Sequence, residues 1–115
     1  MKFSVLVALL AEEMEDKAID VAREAGAGAV TLLNARGITG KEKKTFFGLT
    51  YEGSQSVLLF VLEKKLSLHV LKTLTRELGL DDDPRGVAFT IPLEHLGGIQ
   101  TTEIDKFTRQ MEDEI

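Results

Sequence analysis

Apolar residues first gather between Phe3 and Leu10, where Val, Leu and Phe dominate, and this predicts a strand over residues 2–10. Glu12, Glu13, Glu15 and Asp16 follow, carboxylates that suit the positive end of a helix dipole. Met14, Ala18, Val21, Ala22 and Ala25 then recur at helical spacing, and Gly26 offers a left-handed cap, so a helix is predicted to stop there. Residues 29–34 read as a second strand. From Arg36 to Gln55 no period holds, and Gly37, Gly40, Gly48 and Gly53 interrupt the chain; a long loop, in part a ribbon, is expected. Residues 56–63 read as a third strand. Ser67 is placed to cap a second helix, with Leu66 and Leu71 spaced for a hydrophobic staple. Leu71, Leu74 and Leu78 supply its buried stripe, and Gly79 ends it. Residues 81–86 form a loop, and residues 87–91 a fourth strand stopped by Pro92. In the tail, Ile104, Phe107, Met111 and Ile115 share one side of a helix; the alternative is a frayed polar end.

The order strand–helix–strand, loop, strand–helix–strand predicts an α+β, ferredoxin-like double βαβ sandwich, a four-stranded antiparallel sheet with two helices on one face. A single domain over residues 1–100 is expected, with residues 36–55 as its long loop and 101–115 as a C-terminal tail. Helices on one face leave the other to water, and a watered face alternates to polar residues. Here it does not: Val57-Leu58-Leu59-Phe60-Val61-Leu62 is apolar throughout, as are Val5-Leu6-Val7 and Leu9-Leu10. Neighbours in a strand point to opposite faces, so both faces are apolar. Such a patch exceeds what a soluble monomer tolerates, and association of copies is predicted; a tail folded back over the face is the alternative.

The chain has 115 residues, no cysteine, 43% hydrophobic and 29% charged residues. The missing thiols exclude disulfides and thiolate chemistry and point to a reducing, cytoplasmic setting. The apolar N-terminal run is short and meets Glu12-Glu13 at once, so a buried strand is expected there, with a secretory leader as the alternative. No stretch approaches the ~20 apolar residues of a membrane span, so no membrane insertion is expected. Net charge is −5, yet Arg36, Lys41, Lys43 and Lys44 against Glu42 make one loop +3, leaving −8 elsewhere. A basic loop on an acidic body suits a local anion site or a docking loop, and argues against nucleic acid as partner.

The segment Arg36-Gly37-Ile38-Thr39-Gly40-Lys41-Glu42-Lys43-Lys44-Thr45-Phe46-Phe47-Gly48, together with Gly86-Val87-Ala88-Phe89 after the second helix, resembles the PII-like branch of the nitrogen regulatory PII signalling proteins. The resemblance runs over residues 2–98. It implies a homotrimer with sheets facing inward, adenine nucleotides or another small anionic effector in the clefts between subunits, no required cofactor, and a loop that docks on a target protein, a transporter or an enzyme. Residue by residue, it implies that Thr31 contacts the base, that Arg36 and Gly37 form the turn at the base of the docking loop, and that Gly86 offers backbone amides as an anion nest; Gly40, Lys41 and Val87 are further candidates for the anion site, the alternative for Arg36 and Lys41 being a solvated basic loop. Val87 stands where the main branch of the family carries a phosphate-binding lysine; Arg85 is the expected substitute. Lys43, Lys44, Thr45, Phe46, Phe47 and Tyr51 are the expected docking residues; in an extended loop Phe46 and Phe47 point opposite ways, which leaves one as an exposed anchor, and the alternative is that both pack against the strand edges. Tyr51 is not set in a matching uridylylation sequence.

His69 and His95 lack metal-ligand spacing and read as surface residues, and Asp81-Asp82-Asp83 as a solvated turn; no metal is expected. No nucleophile–base pair or phosphate-binding Gly-Lys-Ser/Thr motif is present, so no enzyme is expected. The alternatives are a CutA-like trimer associated with divalent cations and a small ferredoxin-fold enzyme.

Overall fold

A computed structural model of the chain describes residues 2–36, 45, 46, 49, 50, 54–82 and 86–98. Six strands and two α-helices follow in the order β1 (Phe3–Ala11), a 3-10 turn (Glu12–Met14), α1 (Glu15–Glu24), β2 (Thr31–Arg36), β3 (Thr45–Phe46), β4 (Leu49–Thr50), β5 (Ser54–Glu63), α2 (Lys64–Glu77) and β6 (Gly86–Pro92). The main sheet has the order β2-β5-β1-β6 with every pairing antiparallel, which is the expected double βαβ sandwich. β3 and β4 form a separate antiparallel ribbon, with Thr45 opposite Thr50 and Phe46 opposite Leu49. Among the described residues no helix is long and apolar enough to cross a membrane.

Register assigns each side chain to a face. Leu6 stands opposite Phe60, Ala8 opposite Leu58 and Leu10 opposite Ser56. All of these are buried, and they pack with Met14, Ala18, Ala22 and Ala25 from the first helical segment and Leu66, Val70, Leu74 and Leu78 from the second. This cluster is the main core and lies on the helix side; Val7, on the other face, is buried as well. Fully burying residues of this size stabilises by roughly 1.5–3 kcal/mol each.

Both helices end alike. Gly26, at φ 115°, follows α1, and its N–H reaches Arg23 O while that of Ala27 reaches Ala22 O. Gly79, at φ 63°, follows α2, with Gly79 N–H to Arg76 O and Leu80 N–H to Thr75 O. Each is a Schellman closure that needs a left-handed residue, which glycine adopts without a Cβ clash.

The start of α2 differs from the sequence expectation. The cap is Glu63, whose Oε2 accepts from the backbone N–H of Lys65 (2.8 Å) and Leu66 (3.2 Å). Ser67 is buried inside the helix and donates to Lys64 O at 2.7 Å, so it caps nothing and the Leu66–Leu71 staple has no role. The physical reason is electrostatic: Lys64 and Lys65 occupy a first turn that favours negative charge, and the Glu63 carboxylate supplies it. β2 also begins two residues later than expected, because pairing with β5 runs from Thr31–Leu59 to Arg36–Ser54.

The second face carries Val5, Val7, Leu9, Thr31, Leu33, Val57, Leu59, Val61, Val87, Phe89 and Ile91 as one surface. Leu33, Val61 and Ile91 are 47%, 43% and 49% exposed. No described helix lies on it, in agreement with the two-sided apolar strands of the sequence.

Candidate functional site

The residues expected to bind the effector fall into two groups. Thr31 and Arg36 lie on β2, at one edge of the sheet, and Gly86 and Val87 open β6, at the other. Three strand spacings separate them, roughly 14 Å. Yet Asn34, Ser56, Leu10 and Gly86 pair in sequence across the sheet, so Gly86 lies level with Asn34 and two residues from the level of Arg36. Arg36 and Gly86 therefore share one end of the sheet at opposite edges, while Thr31 lies further in, level with Phe89. Thr31 belongs to the second face and Arg36 to the helix face, as their partners Leu59 and Ser54 dictate. Gly37, Gly40, Lys41, Lys43, Lys44, Phe47, Tyr51 and Arg85 lie outside the described residues, as does the tail over 101–115. Thr45 and Phe46 form β3.

Gly86 has a packing reason for lacking a side chain. A Cβ there would come within 2.7 Å of Leu80 Cδ2 and 2.9 Å of Leu10 Cδ2. Leu10 is fully buried, so the helix-facing side of Gly86 is already filled by core. Val87, on the next residue, turns to the second face opposite Leu9.

Around Arg36 there is a cleft of about 330 Å³, lined among the described residues by Glu12, Asn34, Ala35, Arg36 and Ser54. Arg36 and Ser54 are directly paired, and Asn34 is two residues back on the same face. Glu12 leaves β1 just past Ala11, which pairs with Gln55, so it stands level with Ser54. The side chains of Glu12, Asn34, Arg36 and Ser54 make no hydrogen bond or ion pair with another described residue. Just beneath, the buried Ser56 hydroxyl donates to Glu15 Oε1 at 2.8 Å and fastens the first turn of α1 to β5. Sequence reading finds Arg36 but misses Asn34 and Ser54, and it assigns Glu12 only to the helix dipole. The alternating polar pair Asn34-x-Arg36 on an otherwise apolar strand is the available signal.

A second groove of about 350 Å³ runs between the helices, lined by Val21, Glu24, Ala25, His69, Thr73, Arg76 and Glu77. The Thr73 hydroxyl donates to His69 O at 2.8 Å, and Arg76 faces its neighbour Glu77 at 3.4 Å. His95 is well exposed beside Glu94, 3.7 Å away. Among the described residues no three His, Asp or Glu side chains gather as a metal site.

No known family model matches the sequence, and no curated protein matches it by sequence. Solved structures do match it by fold. One is a protein of Thermus thermophilus described as PII-like and signalling: TM-score 0.61, 16% identity, covering 81% of this chain and 88% of that one. Another is CPII of Thiomonas intermedia, a nitrogen regulatory PII-like protein bound to ADP, AMP and bicarbonate, with TM-score 0.58, 17% identity and coverage of 86% and 98%. A third is a DUF3240 family protein of Shewanella baltica, with TM-score 0.62, 15% identity and coverage of 87% and 99%. The chain shares its fold, the ferredoxin-like sandwich, with these proteins.

Proposed function

We propose, with the PII-like fold as premise, that this chain is a regulatory protein that works as a homotrimer and binds a small anionic effector between neighbouring copies. One observation supports the reading: an apolar second face, with the expected effector residues on the two opposite edge strands of the sheet. Burying the second face draws copies together. In a closed ring the β2 edge of one copy meets the β6 edge of the next, so Thr31 and Arg36 of one stand beside Gly86 of its neighbour. A site of this kind is completed only by assembly.

The effector is an adenine nucleotide, a reading supported by the ADP and AMP bound to the CPII structure of the same fold. Arg36 gives charge-assisted bonds to phosphate, joined by Lys41 and Arg85, and the backbone amides beside Gly86 supply donors. Ligand binding shifts the conformations of residues 36–55, which dock on a target protein, a transporter or an enzyme, through Lys43, Lys44, Phe46 and Phe47. The protein acts by binding, not by turnover, in the cytoplasm.

Thermal unfolding of the full chain with ATP, ADP, AMP and adenosine tests this. A ligand at 100 times its Kd stabilises by about 2.7 kcal/mol, which lifts the melting temperature by several degrees. At least one nucleotide is expected to do so, adenosine less, and Arg36→Ala to lose the effect. No shift with any nucleotide overturns the reading.

A further inference from the structure

The outward side of α2 carries a feature that neither the core nor the effector reading uses. Leu68 is 48% exposed, and its helical neighbours one turn away are Lys64, Lys65, Leu71 and Lys72. All three lysines are exposed, and their ammonium groups have no carboxylate partner among the described residues. Lys64 and Lys65 also stand in the first turn, where the helix dipole disfavours positive charge, so helix stability does not account for them. A leucine bordered by lysines fits an acidic amphipathic segment. We infer that this stripe is the seat of the chain's own C-terminal segment, residues 101–115.

Charge, path and length choose that occupant. Residues 101–115 hold Glu103, Asp105, Glu112, Asp113 and Glu114 against Lys106 and Arg109, a net −3. Wound as a helix at about 100° per residue, Ile104, Phe107, Met111 and Ile115 form one stripe. Glu103 and Glu114 border it on one side, Asp105 and Glu112 on the other, and Lys106 and Arg109 fall on the far side. The path begins where β6 ends. The N–H of Leu93, just past β6, donates to Phe3 O, and that of Lys64, the first residue of α2, donates to Lys2 O. The chain therefore departs from β6 across β1 from the start of α2, roughly 10 Å away. Residues 94–100, at up to ~3.3 Å each, span that gap. Gly98, at φ 91°, lies outside the extended region and turns the chain out of the line of β6. Residues 101–115 as a helix are about 22 Å long, against about 21 Å for α2. The second face is a worse seat: the residues of β1, β5 and β6 that form it are apolar, and carboxylates bordering the tail's stripe would be buried there without partners. The short tether favours the tail's own chain over a neighbouring copy.

The chain has no cysteine, so Gln110→Cys accepts a single nitroxide label. In isotope-edited NMR of the labelled full chain, broadening is expected to be strongest at the amides of residues 64–72 and weak at residues 5–9 and 57–61 of the second face. Leu68→Asp, at an exposed position, is expected to keep the circular dichroism of the parent and to cut the broadening at residues 64–72 at least twofold. Lys72→Glu leaves every apolar contact in place and is expected to do the same, which keeps the test decisive should Leu68→Asp fold poorly. Isotope-enriched chains without nitroxide, refolded together with unenriched chains that carry it, are expected to show little broadening, because each tail sits on its own chain. Broadening strongest on the second face, broadening nowhere, broadening unchanged in both variants, or equal broadening in the mixture overturns the proposal. Thr31, Arg36 and Gly86 take no part in this seat, so it and the effector reading can fail separately.

Discussion

Replacing Gly86 by alanine adds one carbon where the core has already closed. The new Cβ would lie 2.7 Å from Leu80 Cδ2 and 2.9 Å from Leu10 Cδ2, with Met14 Cε at 3.6 Å. Leu80 is half-buried and can turn aside, but Leu10 is fully buried and has no free volume to enter. Overpacking of this kind costs about 1–3 kcal/mol. Alanine recovers about 0.4–1 kcal/mol by restricting the unfolded chain. The expected net loss is therefore about 1–2 kcal/mol. Urea unfolding of parent and variant at equal protein concentration reads it, since the proposed assembly would make stability concentration-dependent. A cycle with Leu80→Ala sharpens the test. That change removes the atom at 2.7 Å, so the double variant should cost less than the sum of the singles by about 1 kcal/mol. A Gly86→Ala chain as stable as the parent, with additive effects in the cycle, would refute the packing argument and leave ligand approach as the reason for glycine.

Two further predictions concern the helix start and the second face. Glu63→Ala removes the acceptor for Lys65 and Leu66 N–H in a first turn that carries two lysines, and should cost about 2 kcal/mol in urea unfolding; Glu63→Gln, which keeps an acceptor oxygen, should cost less. Val61→Lys, at a residue 43% exposed in the single chain, should retain the circular dichroism of the parent but dissociate the assembly in sedimentation; unchanged mass would count against burial of that face.

The architecture is readable because it rests on local patterns. The strand before Glu12, the helix closed by Gly26 and the helix closed by Gly79 each follow from period and cap chemistry within a few residues. What depends on a distant partner reads less well. The start of β2 is set by pairing with β5, which Ala29 and Val30 do not reveal. Ser67 draws the cap prediction for α2 because serine is a common cap; Leu66, Val70, Leu74 and Leu78, four apart, already imply a helix beginning earlier. The site is half legible. Arg36 and Gly86 stand out as an Arg-Gly turn and a glycine before a strand, but their separation at opposite edges follows from strand order alone. Ser54 and Glu12 join Arg36 only through register, and Gly86 owes its lack of a side chain to Leu10, 76 positions earlier in the chain.

Sedimentation equilibrium of the full chain at low micromolar concentration bears most directly on assembly through the second face. Three copies of the 12.7 kDa chain give about 38 kDa, and that mass, held on dilution and insensitive to salt as apolar burial requires, is the predicted result. A single species at 12.7 kDa would contradict it, and with it the shared sites between copies.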